Sequence, residues 1–370
     1  MDEKKFSQMA KKKERRKKKM SLLWMDYEAE FRALVEAAFQ QECEDHPAYY
    51  AALSQRVRDI IYRDTRFNID FLYTSYLLEE EKIMADYGRW LYQLLEPLFK
   101  DQTPEETARY VVEHLATIQK CVPKVVGADK HEMLIHLLEC AKESIRTEVE
   151  QKGSVQPRIS KYEAEIEQYM SSLLQKNTRK TMFLVQEFIH KGIPINDVYV
   201  EILAESMRRV GDLWHTAKIT VDTEHYCTSV TQMAMAQMYP MLFASERKNK
   251  TLLCACPGTE LHEMGARMVA DLFENDGWDS IYLGAAVPEE YLLKAVEENN
   301  PDLVALSVTM PQHLITCQSL VEAIKRKFPE TKIAVGGKAF ESTNAIWTKW
   351  PVDLYTTDAR QLLARANEIC

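Results

Sequence analysis

The most constraining feature of this sequence is the alternation of short apolar segments with helix-length segments after Lys250. Short apolar runs separated by amphipathic stretches are typical of strands and helices that follow one another along the chain. Strand and helix alternate five times, which predicts a parallel sheet with right-handed crossovers, a flavodoxin-like (Rossmann-like) α/β domain. The five apolar segments are TLLCAC, DSIYLG, LVALSVT, KIAVGG and DLYTT.

Two helical blocks precede this domain. Apolar residues recur every three to four positions over residues 25–150, which predicts an all-α N-terminal bundle. A second block of three or four helices follows over residues 160–245, and we expect residues 250–370 to form the α/β domain. Between the helical blocks, the stretch EQKGSVQPRIS at residues 150–160 combines Gly, Ser and Pro and is interpreted as a linker.

Charge is unevenly distributed along the chain. Residues 1–20 carry ten Lys/Arg and three Asp/Glu, a net charge of +7, whereas the other 350 residues carry a net charge of −16. We interpret residues 1–24 as a disordered basic tail, because a run of like charges is typical of a solvated arm. No groove-reading helix or aromatic platform follows it. Binding to nucleic acid is therefore not expected.

The sequence favours a cytoplasmic protein that does not enter a membrane. No apolar run approaches the roughly 18 residues needed to span a bilayer, and no apolar segment follows the basic N-terminus as in a secretory signal. The eight cysteines lack the spacing of a zinc site, and Cys254 and Cys256 fall on a predicted strand. We expect reduced thiols, no disulfides and no zinc.

Candidate functional residues lie at the carboxyl ends of three predicted strands, where ligands bind in open α/β sheets. Glu260 and His262 lie in the stretch PGTELHEMG after the first strand. The carboxylate is placed to accept a hydrogen bond from one ring nitrogen, which fixes the tautomer and favours metal binding by the other nitrogen. The remaining candidates are hydroxyl groups and glycines that leave room for a bulky ligand: Gly265, Ser307, Thr309, Gly336 and Gly337.

This set of residues resembles the cobalamin-binding fold. Glu-x-His-x-x-Gly, Ser-x-Thr and Gly-Gly follow the first, third and fourth strands, although the family commonly has Asp in place of Glu260 and Ser-x-Leu in place of Ser-x-Thr. The resemblance implies that His262 is the lower axial ligand of cobalt and that Glu260 is its partner. It also implies that the nucleotide tail of the cofactor runs past Ser307, Thr309 and Gly336.

The helical block at residues 160–245 resembles the four-helix cap over the upper face of the corrin in this family. Its stretch LWHTAKITVDTEHYC matches the cap motif of light-sensing, adenosylcobalamin-binding regulators of the CarH type. The resemblance implies that Trp214 and Glu224 face the adenosyl group and that His225 supports them. It makes His215 the candidate upper ligand of cobalt after light has broken the cobalt–carbon bond.

The N-terminal block resembles, through the stretch DYGRWLYQLLEPLF, the helical domain of photocobilins, which are photoreceptors that bind cobalamin and a bilin. Biliverdin is therefore a candidate second chromophore. No DNA-reading helix-turn-helix precedes the cap, so direct operator binding is not expected. A homo-oligomer, such as a dimer formed through the helical domains, and an unidentified protein partner are the candidate outputs.

Three functions are compatible with these features. The first is a signalling protein, not an enzyme, in which photolysis of adenosylcobalamin moves the helical cap and alters self-association or partner contacts. The second is a corrinoid methyl carrier of a methyltransferase system, which would use the same His262 but needs an accessible cobalt, whereas Trp214 is bulky. The third, a receiver-like domain without a cofactor, lacks the clustered acidic residues and strand-end lysine that phosphoryl transfer needs. We favour the light sensor.

Overall fold

The computed structural model describes residues 28–151 and 160–370. The predicted basic tail at residues 1–24 and most of the predicted linker at residues 150–160 lie outside the described residues. Along the chain, the described part consists of an all-α N-terminal region, a helical cap region and an α/β region. This architecture confirms the predicted fold class.

Six α-helices build the N-terminal region between Glu28 and Gln151. The start of the fifth is a capping box: the Thr103 hydroxyl accepts from the Glu106 N–H, and the Glu106 carboxylate accepts from the Thr103 N–H. Gly88 permits close packing of two helices, because a Cβ there would lie 2.7 Å from the carbonyl oxygen of Ala141. The helices are α1 (Glu28–Asp45), α2 (Pro47–Ala52), α3 (Gln55–Leu78), α4 (Glu81–Leu95), α5 (Pro104–Val125) and α6 (His131–Gln151).

The apolar core of the cap region extends to Met268 and Leu272 of the α/β region. A π-helical segment, Val198–Leu203, leads directly into its third main helix. The last helix carries Asp222 and Glu224 in its first turn, as predicted, where carboxylates interact favourably with the helix dipole. The main helices of the region are α7 (Glu163–Leu174), α8 (Thr178–His190), α9 (Ala204–His215) and α10 (Val221–Met238).

The α/β region contains a parallel sheet with the strand order β2-β1-β3-β4-β5, so the order reverses between β1 and β3. Leu253 and Val304 belong to the core on one face of the sheet, and their neighbours Leu252 and Leu303 belong to the core on the other face. The strands are β1 (Thr251–Pro257), β2 (Asp279–Val287), β3 (Leu303–Ser307), β4 (Lys332–Gly336) and β5 (Leu354–Tyr355). The helices are α11 (Met264–Asn275), α12 (Glu289–Asn299), α13 (His313–Lys327) and α14 (Ala359–Ile369).

The N-terminal region contacts the α/β region through α3 and α4. Glu80, immediately before α4, is only 1% exposed. Its carboxylate accepts hydrogen bonds from the backbone N–H of Asn344 at 2.7 Å and from the ammonium group of Lys349 at 3.1 Å. Nearby, the Lys82 ammonium donates to the carbonyl oxygen of Glu341. Specific polar contacts therefore join the start of α4 to the segment between β4 and β5.

A second set of polar contacts joins the cap region to the α/β region. The Tyr199 hydroxyl donates to the Asp271 carboxylate at 2.9 Å. The Arg360 guanidinium donates to Asp197 at 2.5 Å and to Glu201 at 2.8 Å. These contacts link the segment before α9 to α11 and α14 on one side of the sheet.

The length and apolarity of the helices and the state of the cysteines were both the subject of sequence-based expectations. Within residues 28–151 and 160–370, no helix has the length and apolarity required to cross a membrane. The eight cysteines are free thiols, five of them buried and three half-buried. Cys254 and Cys256 lie on β1, as predicted.

The conformation of Gly337 provides a test of the fold. Its φ of 100° is strained for other residues, and a Cβ would lie 2.3 Å from the carbonyl oxygen of Val308. We expect Gly337→Ala to lower the free energy of unfolding by about 2 kcal/mol or more. Gly211 in α9 has no atom within 4 Å of an added Cβ, so Gly211→Ala is a matched control that should stabilise by about 0.5–1 kcal/mol. Thermal unfolding followed by circular dichroism measures both changes; a Gly337→Ala variant as stable as the parent would contradict this backbone geometry.

Candidate functional site

The loop between β1 and α11 presents an oriented imidazole at the carboxyl end of the sheet. His262 Nδ1 donates a hydrogen bond to Glu260 Oε1 at 2.6 Å, and the His262 backbone N–H donates to the same oxygen at 3.0 Å. Because a carboxylate only accepts, Nδ1 carries the proton and Nε2 retains its lone pair in the neutral ring. The His262 side chain is 57% exposed, so the ring is accessible to a ligand.

The buried Glu260 carboxylate also holds the loop after β3. Its Oε2 accepts hydrogen bonds from the backbone N–H groups of Thr309 and Met310, both at 2.8 Å. Burial disfavours the charged form, but the hydrogen bonds from His262 and Met310 outweigh it and lower the pKa of Glu260 to about 2. One ionised carboxylate thus connects the ends of β1 and β3.

The first turn of α10 lies near His262. The hydrogen bond to Glu260 raises the pKa of His262, burial opposes this, and the negative charge of Glu224 raises the pKa further. Glu224 is itself oriented: its Oε2 accepts from His225 Nδ1 at 2.6 Å, and its Oε1 accepts from the Thr228 hydroxyl at 2.9 Å. The His225 side chain is 73% exposed. Glu224 of the cap therefore lies close enough to the strand-end histidine to act on it electrostatically, and His225 orients Glu224.

Trp214 is half-buried in the last turn of α9, and the next residue, His215, contacts the N-terminal region. The His215 ring stacks on Trp90 of α4 with centroids 5.3 Å apart and an interplanar angle of 8°. His215 Nε2 donates to the Trp90 carbonyl oxygen at 3.0 Å, which leaves Nδ1 as the nitrogen with a free lone pair. Trp90 stacks in turn on Tyr87, and Tyr87 stacks on Phe71. The aromatic rings thus form one continuous stack from the cap region into the N-terminal region: His215, Trp90, Tyr87 and Phe71.

The predicted glycines differ in their surroundings. A Cβ on Gly336 would lie 2.6 Å from the carbonyl oxygen of Thr356, and Gly337 is crowded by backbone as described above. At these two positions the close neighbour is the chain's own backbone. Gly265 is different, because no atom lies within 4 Å of an added Cβ. Ser307 is half-buried at the end of β3, where it pairs with Gly336.

Two residues that sequence reasoning missed lie at the start of α13. Gln312 is 7% exposed, and its side-chain amide interacts with the Asp70 carboxylate. Asp70 of α3 lies beside it, and burial raises the pKa of Asp70 to about 7. His313 is also buried; burial lowers its pKa, while the Glu260 charge opposes that shift. Gln312 therefore contributes to the contact between the segment before α13 and α3 of the N-terminal region.

Glu263 was also missed, although it lies within the same short loop. Its Oε2 accepts from the backbone N–H of Ala285 at 3.0 Å and from the Tyr282 hydroxyl at 3.1 Å. Its Oε1 accepts from the Gln232 amide of α10 at 3.1 Å. Glu263 therefore ties the cap to the loop that carries His262, a contact that no local pattern reveals.

The regions that contain these side chains match known families. Residues 165–239 and residues 250–358 each match a family model described as a B12 binding domain. These two regions of the chain are therefore similar to B12 binding domains. The predicted resemblance to cobalamin-binding proteins of the CarH type is confirmed, whereas the resemblance of the N-terminal region to photocobilins stays a prediction.

The relatives of this chain include both transcriptional repressors and corrinoid proteins. The chain is 26% identical over 221 residues to the HTH-type transcriptional repressor CarH of Myxococcus xanthus, covering 59% of this chain and 73% of that protein. It is 20% identical over 207 residues to the dimethylamine corrinoid protein of Methanosarcina barkeri, covering 55% of this chain and 97% of that protein. The structure of the Methanosarcina barkeri monomethylamine corrinoid protein has the same fold, with a TM-score of 0.50, 19% identity, and coverage of 56% of this chain and 100% of that one.

The low pKa of Glu260 predicts a pH-dependent contribution to stability. Because its pKa falls from 4.5 to about 2 on folding, the carboxylate stabilises the protein above pH 4.5 and loses this effect as the pH falls towards 2. We expect Glu260→Gln to lower the free energy of unfolding by about 3 kcal/mol at pH 7. The difference from the parent should shrink at pH values below the ordinary carboxyl pKa, and the exposed Glu368→Gln variant serves as control. Urea denaturation at several pH values measures this; a pH-independent difference would argue against an ionised Glu260.

Proposed function

We propose that this protein is a B12-dependent light sensor that uses adenosylcobalamin and acts through conformational change, not as an enzyme. The observation that carries the proposal is the imidazole of His262, fixed by a buried carboxylate at the carboxyl end of the sheet. The match of the cap stretch to the CarH-type motif and the similarity to CarH support the sensor function.

The residues at the strand ends fit a corrinoid. His262 offers an accessible ring with a free Nε2 lone pair, so it would be the lower axial ligand of cobalt. Gly265 leaves open space at the start of α11. Ser307 and Thr309 would line the path of the nucleotide tail. Gly336 and Gly337 are assigned to this path as well, alongside their packing role.

The cap residues fit the opposite side of the cofactor. Trp214 and Glu224 would face the adenosyl group, and His225 would hold the Glu224 carboxylate in place through its 2.6 Å hydrogen bond. When bound, adenosylcobalamin supplies a cobalt–carbon bond that light can break. The function of these side chains is to shield that bond in the dark and to respond when the adenosyl group is lost.

His215 connects this response to the N-terminal region. In our proposal, His215 moves away from Trp90 to become the upper ligand, which breaks the 3.0 Å hydrogen bond and the ring stacking. A ligand shifts a conformational equilibrium only through different contacts in the two states, and this exchange provides such a difference. We propose that release of Trp90 alters self-association as a dimer or the contact with a protein partner.

A corrinoid methyl carrier is the second candidate function, because similarity to the dimethylamine corrinoid protein covers 97% of that relative. Such a carrier needs a cobalt that a methyltransferase can reach. In this chain the cap is held to the sheet by Glu263 and to the N-terminal region by His215, which favours a closed cap. Methyl transfer to and from the bound corrinoid with a partner enzyme, without a light-induced structural change, would support the carrier instead.

Light-induced changes test the proposal. We expect the protein reconstituted with adenosylcobalamin to change its absorption spectrum under green light and its elution volume in size-exclusion chromatography.

His262→Ala should weaken cofactor binding by roughly tenfold or more, because one direct metal ligand is lost. His190→Ala, at an exposed histidine of α8, is the matched control. Wild-type affinity and an unchanged cobalt spectrum in His262→Ala would exclude the assigned ligand.

Added biliverdin should give a far-red band if the N-terminal region binds a bilin, and the absence of that band would remove the bilin from the proposal.

Replacement of Trp90 tests the proposed link to the N-terminal region. Trp90→Leu removes the aromatic partner of His215 while keeping an apolar side chain and the backbone carbonyl. We expect unchanged affinity for adenosylcobalamin in the dark but a smaller light-induced change in elution volume. Tyr49→Leu, at an exposed aromatic residue of α2, is the control. An unaltered light response in Trp90→Leu would show that the signal does not pass through this contact.

A further inference from the structure

Three metal-ligating side chains converge on the outer surface of the N-terminal region, far along the chain from the cobalamin-site residues. His136 and Cys140 are four residues apart on α6, so their side chains lie on the same helix face. Glu81 is the first residue of α4. The ligand atoms of the three residues all lie within 4.8 Å of one another.

The distances between these atoms agree with coordination of one ion. His136 Nε2 lies 3.0 Å from Glu81 Oε1 and 3.6 Å from Cys140 Sγ. Tetrahedral zinc at ordinary bond lengths holds a nitrogen and a sulfur ligand about 3.6 Å apart and a nitrogen and an oxygen ligand about 3.3 Å apart. Small side-chain adjustments therefore suffice to bind the ion, and a helical pair four residues apart is a common way to present two zinc ligands.

The surroundings leave the three ligand atoms accessible to an ion. His136 and Cys140 border a surface cleft of about 570 Å³, and Glu139 and Glu143 line the same cleft. The side chains of Glu81 and His136 are about half exposed, so neither ligand must leave a packed core to bind metal. Glu139 is paired with Lys142 at 2.6 Å and Glu143 with Arg146 at 3.1 Å, so selectivity for a cation rests on the three ligand atoms themselves.

We propose that Glu81, His136 and Cys140 form a zinc-binding site with three protein ligands and a fourth position open to the cleft. Mixed sulfur, nitrogen and oxygen ligands favour zinc over magnesium or calcium, which prefer oxygen ligands alone. The site joins α6 to the first residue of α4. Because the preceding residue, Glu80, is buried against Asn344 and Lys349 of the α/β region, bound zinc stabilises the end of α4 that docks there.

Zinc titration of the full-length protein by isothermal calorimetry tests the site. We expect one equivalent to bind with micromolar or tighter affinity and to raise Tm. Cys140→Ser, His136→Ala and Glu81→Gln should each weaken binding by roughly 100-fold or more, since even the loss of an indirect partner costs 10–100-fold. The three substitutions fall on two helices, so misfolding of one variant leaves the others informative, and circular dichroism verifies that each variant is folded.

Matched controls are available within the same region. Cys43→Ser removes a half-exposed thiol of α1, and His46→Ala removes an exposed imidazole beside α2. Both variants should bind zinc as the parent does. The proposal is overturned if the parent binds no zinc in a micromolar titration, which would leave the three residues as a hydrogen-bonded surface cluster. It is overturned equally if folded Cys140→Ser and His136→Ala variants bind zinc with parental affinity.

Discussion

The geometry of the site depends on the buried carboxylate of Glu260. It accepts four hydrogen bonds, two from His262 and one each from the N–H groups of Thr309 and Met310, and the Glu260 carbonyl accepts a fifth from Ala286 N–H at 2.9 Å. A buried charge is tolerated only when it is satisfied in this way. The ends of β1, β2 and β3 therefore meet at one residue. Because Glu260 holds the His262 ring, the orientation of the ring is fixed by the sheet, although His262 itself lies on a loop.

Sequence reasoning succeeded where the relevant interactions are local. The alternation of strand and helix predicted the sheet, and all five strands lie where expected, although β2 runs three residues further and β5 is reduced to Leu354–Tyr355. Glu260 and His262 are two residues apart, so their hydrogen bond was predictable from spacing alone. The stacking of His215 on Trp90 was not, because 125 residues separate them and the contact exists only after two regions pack together. The same holds for Asp70 beside Gln312.

Cysteine spacing led to the expectation that the protein has no zinc, whereas the zinc site proposed above uses Glu81, His136 and Cys140, a cluster that spacing alone does not predict. A spacing rule detects sites whose ligands come in close pairs along the chain, but Glu81 lies 55 residues before His136 and reaches it only because α4 and α6 pack together. Gly88 permits that packing by letting the α6 backbone approach. Helix packing, not sequence proximity, brings the third ligand into place.

The π-helical segment Val198–Leu203 determines in which direction the end of α9 points. A π turn contains about one residue more than an α turn, and one residue corresponds to about 100° of rotation around a helix axis. Without this extra residue, Trp214 and His215 would be directed to a different side of the cap, and an α-helical periodicity extended through the segment would assign them to the wrong face. Six residues that are not candidate cofactor ligands thus set the direction of the two aromatic side chains at the end of α9.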